Sequence, residues 1–187
     1  MQLESHMNNE EPQINAIIAR LKLQLDEWIF ILLLLLSLGG VGITKFSPSE
    51  GYRYWIVMIF VFAIFAIITG WLEKKKQEES FKALFLEQCF HWGGCLLVVG
   101  AMFTLTHSEH LDPTNTDLIF LLLLSLATFL DGQRVGWRFC LLGLFLGGSA
   151  VIISHVDNYM WVETLLAIAI GAGSFAGEHW YNKFTAK

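Results

Sequence analysis

The sequence predicts an all-α fold: a polytopic helical membrane protein with six transmembrane helices, an N-terminal amphipathic helix and both termini cytoplasmic. Three observations predict it. Hydrophobic residues make up 55% of the chain and charged ones only 16%, with mean hydropathy +0.53, a balance soluble domains seldom reach. Unbroken apolar runs such as IFILLLLLSLGG recur, long enough to cross a bilayer and unlike the short alternating segments of a barrel. Lysine and arginine also gather in alternate connections, the asymmetry that orients membrane helices.

The chain opens with MQLESHM, which has the composition of a vector-derived leader, so residues 1–6 are set aside and the native chain is expected from Met7. No cleavable signal peptide is expected, because a long polar segment precedes the first apolar run. Over residues 7–27, Ile14, Ile17, Ile18, Leu21 and Leu25 follow helical spacing while Arg20, Lys22 and Gln24 lie off that stripe. This pattern predicts an amphipathic helix lying on the membrane surface or docked on the bundle.

The membrane domain, 28–181, holds six expected spans: Trp28–Thr44, Tyr54–Leu72, Ala83–Thr106, Leu118–Asp131, Trp137–Ser154 and Trp161–Glu178, followed by a tail over 182–187. With the amino terminus inside, the cytoplasmic segments hold Arg20, Lys22, Lys74, Lys75, Lys76, Lys82, Arg134, Arg138, Lys183 and Lys187, and only Lys45 and Arg53 fall outside. A multi-pass protein of a bacterial inner membrane is the expected setting. Trp28, Tyr54, Trp55, Trp71, Trp137, Tyr159, Trp161, Trp180 and Tyr181 flank the spans as an aromatic belt does.

Gly143 with Gly147, and Gly173 with Gly177, have small-xxx-small spacing, which suits close helix packing within one chain or in a homo-oligomer. Cys89, Cys95 and Cys140 lie in apolar runs and read as buried thiols rather than a disulfide framework. Basic residues beside membrane segments give no reason to expect nucleic acid as a partner. The lipid bilayer and a small cation are the expected ones.

Polar residues at membrane depth carry the functional expectation. Glu87 and His91, four apart, share a helix face that Cys95 continues. Counted from Lys82, they lie roughly 7 Å and 13 Å into the span. A charge at that depth costs several kcal/mol unless paired or hydrated, so the stripe is expected to face the bundle interior. The fourth span measures only about 21 Å, which places Asp131 at the cytoplasmic boundary with Arg134 as its partner. Glu178 and His179 end the sixth span near the same boundary. Glu87, His91, Asp131, Arg134, Glu178 and His179 therefore form the expected ion-binding cluster.

On the outer side, HSEHLD and SHVDN supply His107, Glu109, His110 and His155, and Glu163 begins the last span. Imidazole and carboxylate together suit a divalent metal such as zinc, and an acidic mouth concentrates cations.

These residues predict a small transporter or channel for protons or a divalent metal, in which histidine and carboxylate exchange protons. Three alternatives stand beside it. A membrane b-type cytochrome would use His91 with His179 for a cytoplasmic-side haem and His107 or His110 with His155 for an outer one. A metal-dependent membrane hydrolase would use the acidic-histidine sites. A non-enzymatic accessory subunit would need only internal polar packing. No catalytic residue is assigned: there is no phosphate-binding glycine loop or nucleophile elbow. DGQRVGWR also lacks the further aspartates that CDP-alcohol phosphotransferases use to hold two metals.

The six spans divide into halves of three with opposite orientation. EQCFHWGG in the third span and GAGSFAGEHW in the sixth are then the expected counterparts, since inverted repeats with glycine-interrupted helices are a transporter device.

Overall fold

The computed structural model describes residues 2–74, 81–108, 116–156 and 159–185. Among the described residues the chain is helical, without strands. Its helices are α1 (Gln2–Phe46), α2 (Pro48–Lys74), α3 (Phe81–His107), α4 (Thr116–Val135), α5 (Trp137–His155) and α6 (Tyr159–Thr185). Helices α1 to α5 are long and apolar enough to cross a membrane, and α6 contributes a shorter apolar stretch, Met160–Ala176.

Two boundaries differ from the sequence-based expectation. Helix α1 runs unbroken past residue 27, so the expected amphipathic segment continues into the first apolar stretch; the side chains of residues 2–20 lie outside the described ones. Helix α4 extends one turn beyond Asp131 to Val135. Its 20 residues span about 30 Å, a full hydrocarbon core. Asp131 is therefore inside the helix and buried, rather than at a boundary. Polarity at Asp131 suggested an end that the backbone does not make, because the side chain points into the bundle.

Helices α1, α2, α4 and α5 form the centre. Helix α3 packs against α2 and α4 on one side, and α6 packs against α1 and α5 on the other. Burial follows this arrangement: 17% of the apolar stretch of α3 is buried, against 39% to 44% for the four central helices. The core is made of Leu33, Trp55, Phe62, Phe120, Phe145 and their neighbours, packed in one hydrophobic cluster. Phe90, Leu97 and Leu165 point outward, as lipid-facing side chains do.

The α4–α5 hairpin is the tightest pairing, and glycine permits it. Gly136 makes the turn at φ 152°, a region other residues avoid. A Cβ on Gly143 would stand 2.6 Å from the Phe129 backbone nitrogen, and Gly147 faces Ser125. The Gly143/Gly147 face is thus occupied within the chain by α4. Gly173 meets nothing within 4 Å, and the side-chain surroundings of Gly177 are outside the described residues.

One end of the bundle gathers the start of α3, the ends of α2 and α4 and the start of α5. A Cβ on Gly70 would lie 3.2 Å from Leu84 and 3.7 Å from Val135. Arg138 holds this end together, pairing with Glu27 at 3.5 Å and donating from Nε to Ser174 Oγ at 3.4 Å, which links α5 to α1 and α6. At the opposite end, Trp55 Nε1 donates to Thr44 Oγ1 at 3.0 Å.

Candidate functional site

The site starts from the buried stripe of α3. Leu84, Gln88, Trp92 and Val99 recur at helical spacing and turn inward, while Glu87, next to Gln88, is exposed. The polar residue carried into the interior is therefore Gln88, at 1% exposure. It has the lower cost of the two, since an amide can satisfy its groups in pairs whereas a carboxylate brings a charge.

Gln88 uses both ends of its amide. Trp92 Nε1 donates to Gln88 Oε1 at 2.8 Å, and Gln88 Nε2 donates to Asp131 Oδ1 at 2.7 Å. This chain of bonds fixes the amide orientation and locks α3 to α4. Asp131 is fully buried, and its second oxygen, Oδ2, has no hydrogen-bond partner. One turn away on α4, Thr128 is also fully buried with its hydroxyl unpartnered. A buried oxygen without a partner is rare and costs about 1–3 kcal/mol, so two on one helix face mark a place prepared for something else.

Beside this pair lies a groove of about 520 Å³ lined by Glu87, Phe90, His91 and Arg134. His91 follows Gln88 by three residues and Arg134 follows Asp131 by three, so the groove is built on the same two helix faces as the buried pair. His91 Nε2 lies 3.0 Å from the Ala127 carbonyl, which can only accept, so Nε2 carries the hydrogen of this bond. The ring stands edge-on to Trp92, centroids 5.3 Å apart. The expected Asp131–Arg134 pair is not formed: Gln88 takes Oδ1, Oδ2 is without a bond, and Arg134 is exposed at the groove.

A second buried carboxyl lies toward the opposite end. Glu163 on α6 is fully buried and accepts at Oε2 from Ser149 Oγ at 2.7 Å, and its Oε1 has no partner. It does not sit at an exposed outer mouth, as the sequence suggested. His155 is exposed and engaged within its own helix, its Nδ1 3.0 Å from the Val151 carbonyl.

Of the sequence-predicted residues, the structure therefore brings Glu87, His91 and Arg134 to one groove with Asp131 behind it, and places Glu163 and His155 elsewhere. Glu109 and His110, and the side chains of His107, Glu178 and His179, lie outside the described residues. Among the described residues no three His, Cys, Asp or Glu side chains come together to hold a metal ion. The three cysteines are free thiols, with Cys89 exposed rather than buried.

Sequence reasoning missed Gln88, Thr128 and Ser149. For Gln88 a signal existed: Gln88 and Trp92 are spaced four apart, like Glu87 and His91, and lie on the more apolar face. No family model, curated protein or solved structure matches this chain.

Proposed function

We propose that this chain is a small proton transporter of a bacterial inner membrane, with six crossings, both termini cytoplasmic and Asp131 as the exchanging carboxyl. The observation that carries the reading is the unpartnered Asp131 Oδ2, fully buried one turn from Arg134, which lines the open groove. An unpaired carboxylate oxygen in the interior is costly, and a proton that arrives and leaves removes and restores that cost. In this reading His91 and Glu87, which line the groove, pass protons from water toward Asp131. Gln88 holds Asp131 in place through Oδ1 and leaves Oδ2 for the proton.

Protons are favoured over a divalent metal because Asp131 is held by an amide N–H of Gln88, a donor, which presents hydrogen and not a lone pair beside the carboxyl. Separation of Arg53 from Lys74, Lys82, Arg134 and Arg138 along the bundle supports the cytoplasmic assignment of the Asp131 end.

The test is proton uptake by proteoliposomes containing the purified full chain and a trapped pH-sensitive dye, driven by an imposed potential. Wild-type vesicles are expected to acidify faster than protein-free ones, and Asp131→Asn vesicles to match the protein-free rate. Uptake by Asp131→Asn equal to wild type overturns the reading.

A further inference from the structure

The two halves of the chain repeat one another with inverted orientation. Exchanging α1 with α4, α2 with α5 and α3 with α6 maps every principal helix pairing onto another: α1–α2 onto α4–α5, α2–α3 onto α5–α6, α2–α4 onto α5–α1, and α3–α4 onto α6–α1. The direction is reversed. Helices α2 and α4 end together, where Gly70 approaches Val135, and α1 is antiparallel to α2 through a one-residue turn, so α1 opposes α4.

The hairpin turns share two bonds at equivalent positions, and the first adds one from Gly51 N to Ser47 O at 3.1 Å. Ser47 N donates to Ile43 O at 2.8 Å and Glu50 N to Ser47 O at 2.9 Å; Gly136 N donates to Gly132 O and Phe139 N to Gly136 O, both at 3.0 Å. The shift in numbering that lays Ser47 on Gly136 also lays Leu36 on Ser125 and Tyr54 on Gly143. These positions are bonded across the hairpin in both halves: Tyr54 Oη donates to Leu36 O at 2.6 Å, and Ser125 Oγ donates to Gly143 O at 2.8 Å. The same shift lays Gly40, which lies under the Tyr54 ring, on Phe129, which lies against Gly143, so the large and small partners are interchanged.

On the flanking helices, the buried positions Gln88, Trp92 and Val99 of α3 have the same spacing as Glu163, Ala167 and Ser174 of α6. Gln88 and Glu163 are therefore counterparts. The expected pairing of EQCFHWGG with GAGSFAGEHW fails, because one motif opens α3 while the other closes α6, and inversion equates starts with starts.

We infer that Glu163 with Ser149 is a second proton site, with Glu163 at the inverted counterpart of the Gln88 position, and that the two sites open to opposite sides of the membrane. This rests on the proton-transport reading. Both acids are fully buried, and each has one bonded and one unpartnered oxygen. A proton leaves hydronium in the groove, forms an O–H bond at Asp131 Oδ2 and leaves water behind. At the other end the O–H bond at Glu163 Oε1 breaks and the proton passes to water.

Gly132 on α4 lies level with Cys140 on α5, and Ser149 lies about 13 Å further along α5. That gap is too long for direct transfer. It calls for water beside the Thr128 hydroxyl or a movement of one half against the other, as inverted repeats allow.

Two measurements on the same proteoliposomes test the inference. Infrared difference spectra, recorded as pH is changed on one side of oriented vesicles, are expected to show one carboxyl band lost in Asp131→Asn and a second lost in Glu163→Gln, each responding to a different side. Flux is expected to fall at least tenfold in both variants. A Glu163→Gln protein that keeps every carboxyl band, or bands that both respond to one side, overturns the inference whether or not flux is seen. If Asp131→Asn abolishes flux and Glu163→Gln leaves it intact, the second site fails while the first reading stands. If neither changes flux, both fail.

Discussion

The two buried acids lie toward opposite ends of the bundle, Asp131 bonded to Gln88 and Glu163 at the position that corresponds to Gln88, and they differ in surroundings. Asp131 is held by an amide that is itself held by Trp92, and a groove with an imidazole, a carboxylate and a guanidinium lies beside it. Glu163 is held by a single serine hydroxyl, and no comparable cluster of charged groups adjoins it among the described residues. The difference shows that burial and a missing hydrogen bond are common to both ends, whereas solvent access is developed at one. In the proton-transport proposal the Asp131 end, beside the groove, is the loading side, and the Glu163 end opens when one half moves against the other.

Substitutions sharpen that contrast, beginning with the largest effect. Asp131→Asn keeps the volume and the bond from Gln88 but cannot carry the proton, so flux falls roughly a hundredfold or more in the dye assay. Gly143→Leu drives a side chain into the Phe129 backbone and costs about 1–3 kcal/mol or more, lowering the unfolding temperature in detergent and loosening the α4–α5 hairpin beneath both sites. Gln88→Leu leaves the Trp92 N–H and both Asp131 oxygens unpaired at a cost of about 1–3 kcal/mol; Ser149→Ala removes one bond and costs about 1 kcal/mol. Equal losses for these two, measured by denaturation in detergent, would break the asymmetry between the ends. Glu87→Gln, at an exposed position, changes stability by no more than about 0.5 kcal/mol and slows flux only a few-fold.

Much of the helical plan was legible in the sequence because span length and hydropathy are set by hydrocarbon thickness. That Glu87, His91, Asp131 and Arg134 share one end could be read from helix direction alone, while the side chains of Glu178 and His179, expected with them, lie outside the described residues. Which of two adjacent residues faces inward is only hinted at, by the more apolar company of Gln88 and Trp92. Glu87 and Gln88 differ by one position, about 100° of rotation, and only the packing of α3 against α2 and α4 decides between them. Glu163 was noticed as an acid at a helix start, but its counterpart in α3 was hidden. The repeat is carried by turn geometry and interchanged large–small pairs such as Gly40–Tyr54 and Phe129–Gly143, not by identical residues.

The measurement closest to the centre of the account is proton flux through Asp131→Glu and Asp131→Asn, prepared side by side. A carboxyl that exchanges protons predicts measurable flux with glutamate and background flux with asparagine. Equal flux through both, at either level, with folding intact, would contradict a proton-carrying role for Asp131.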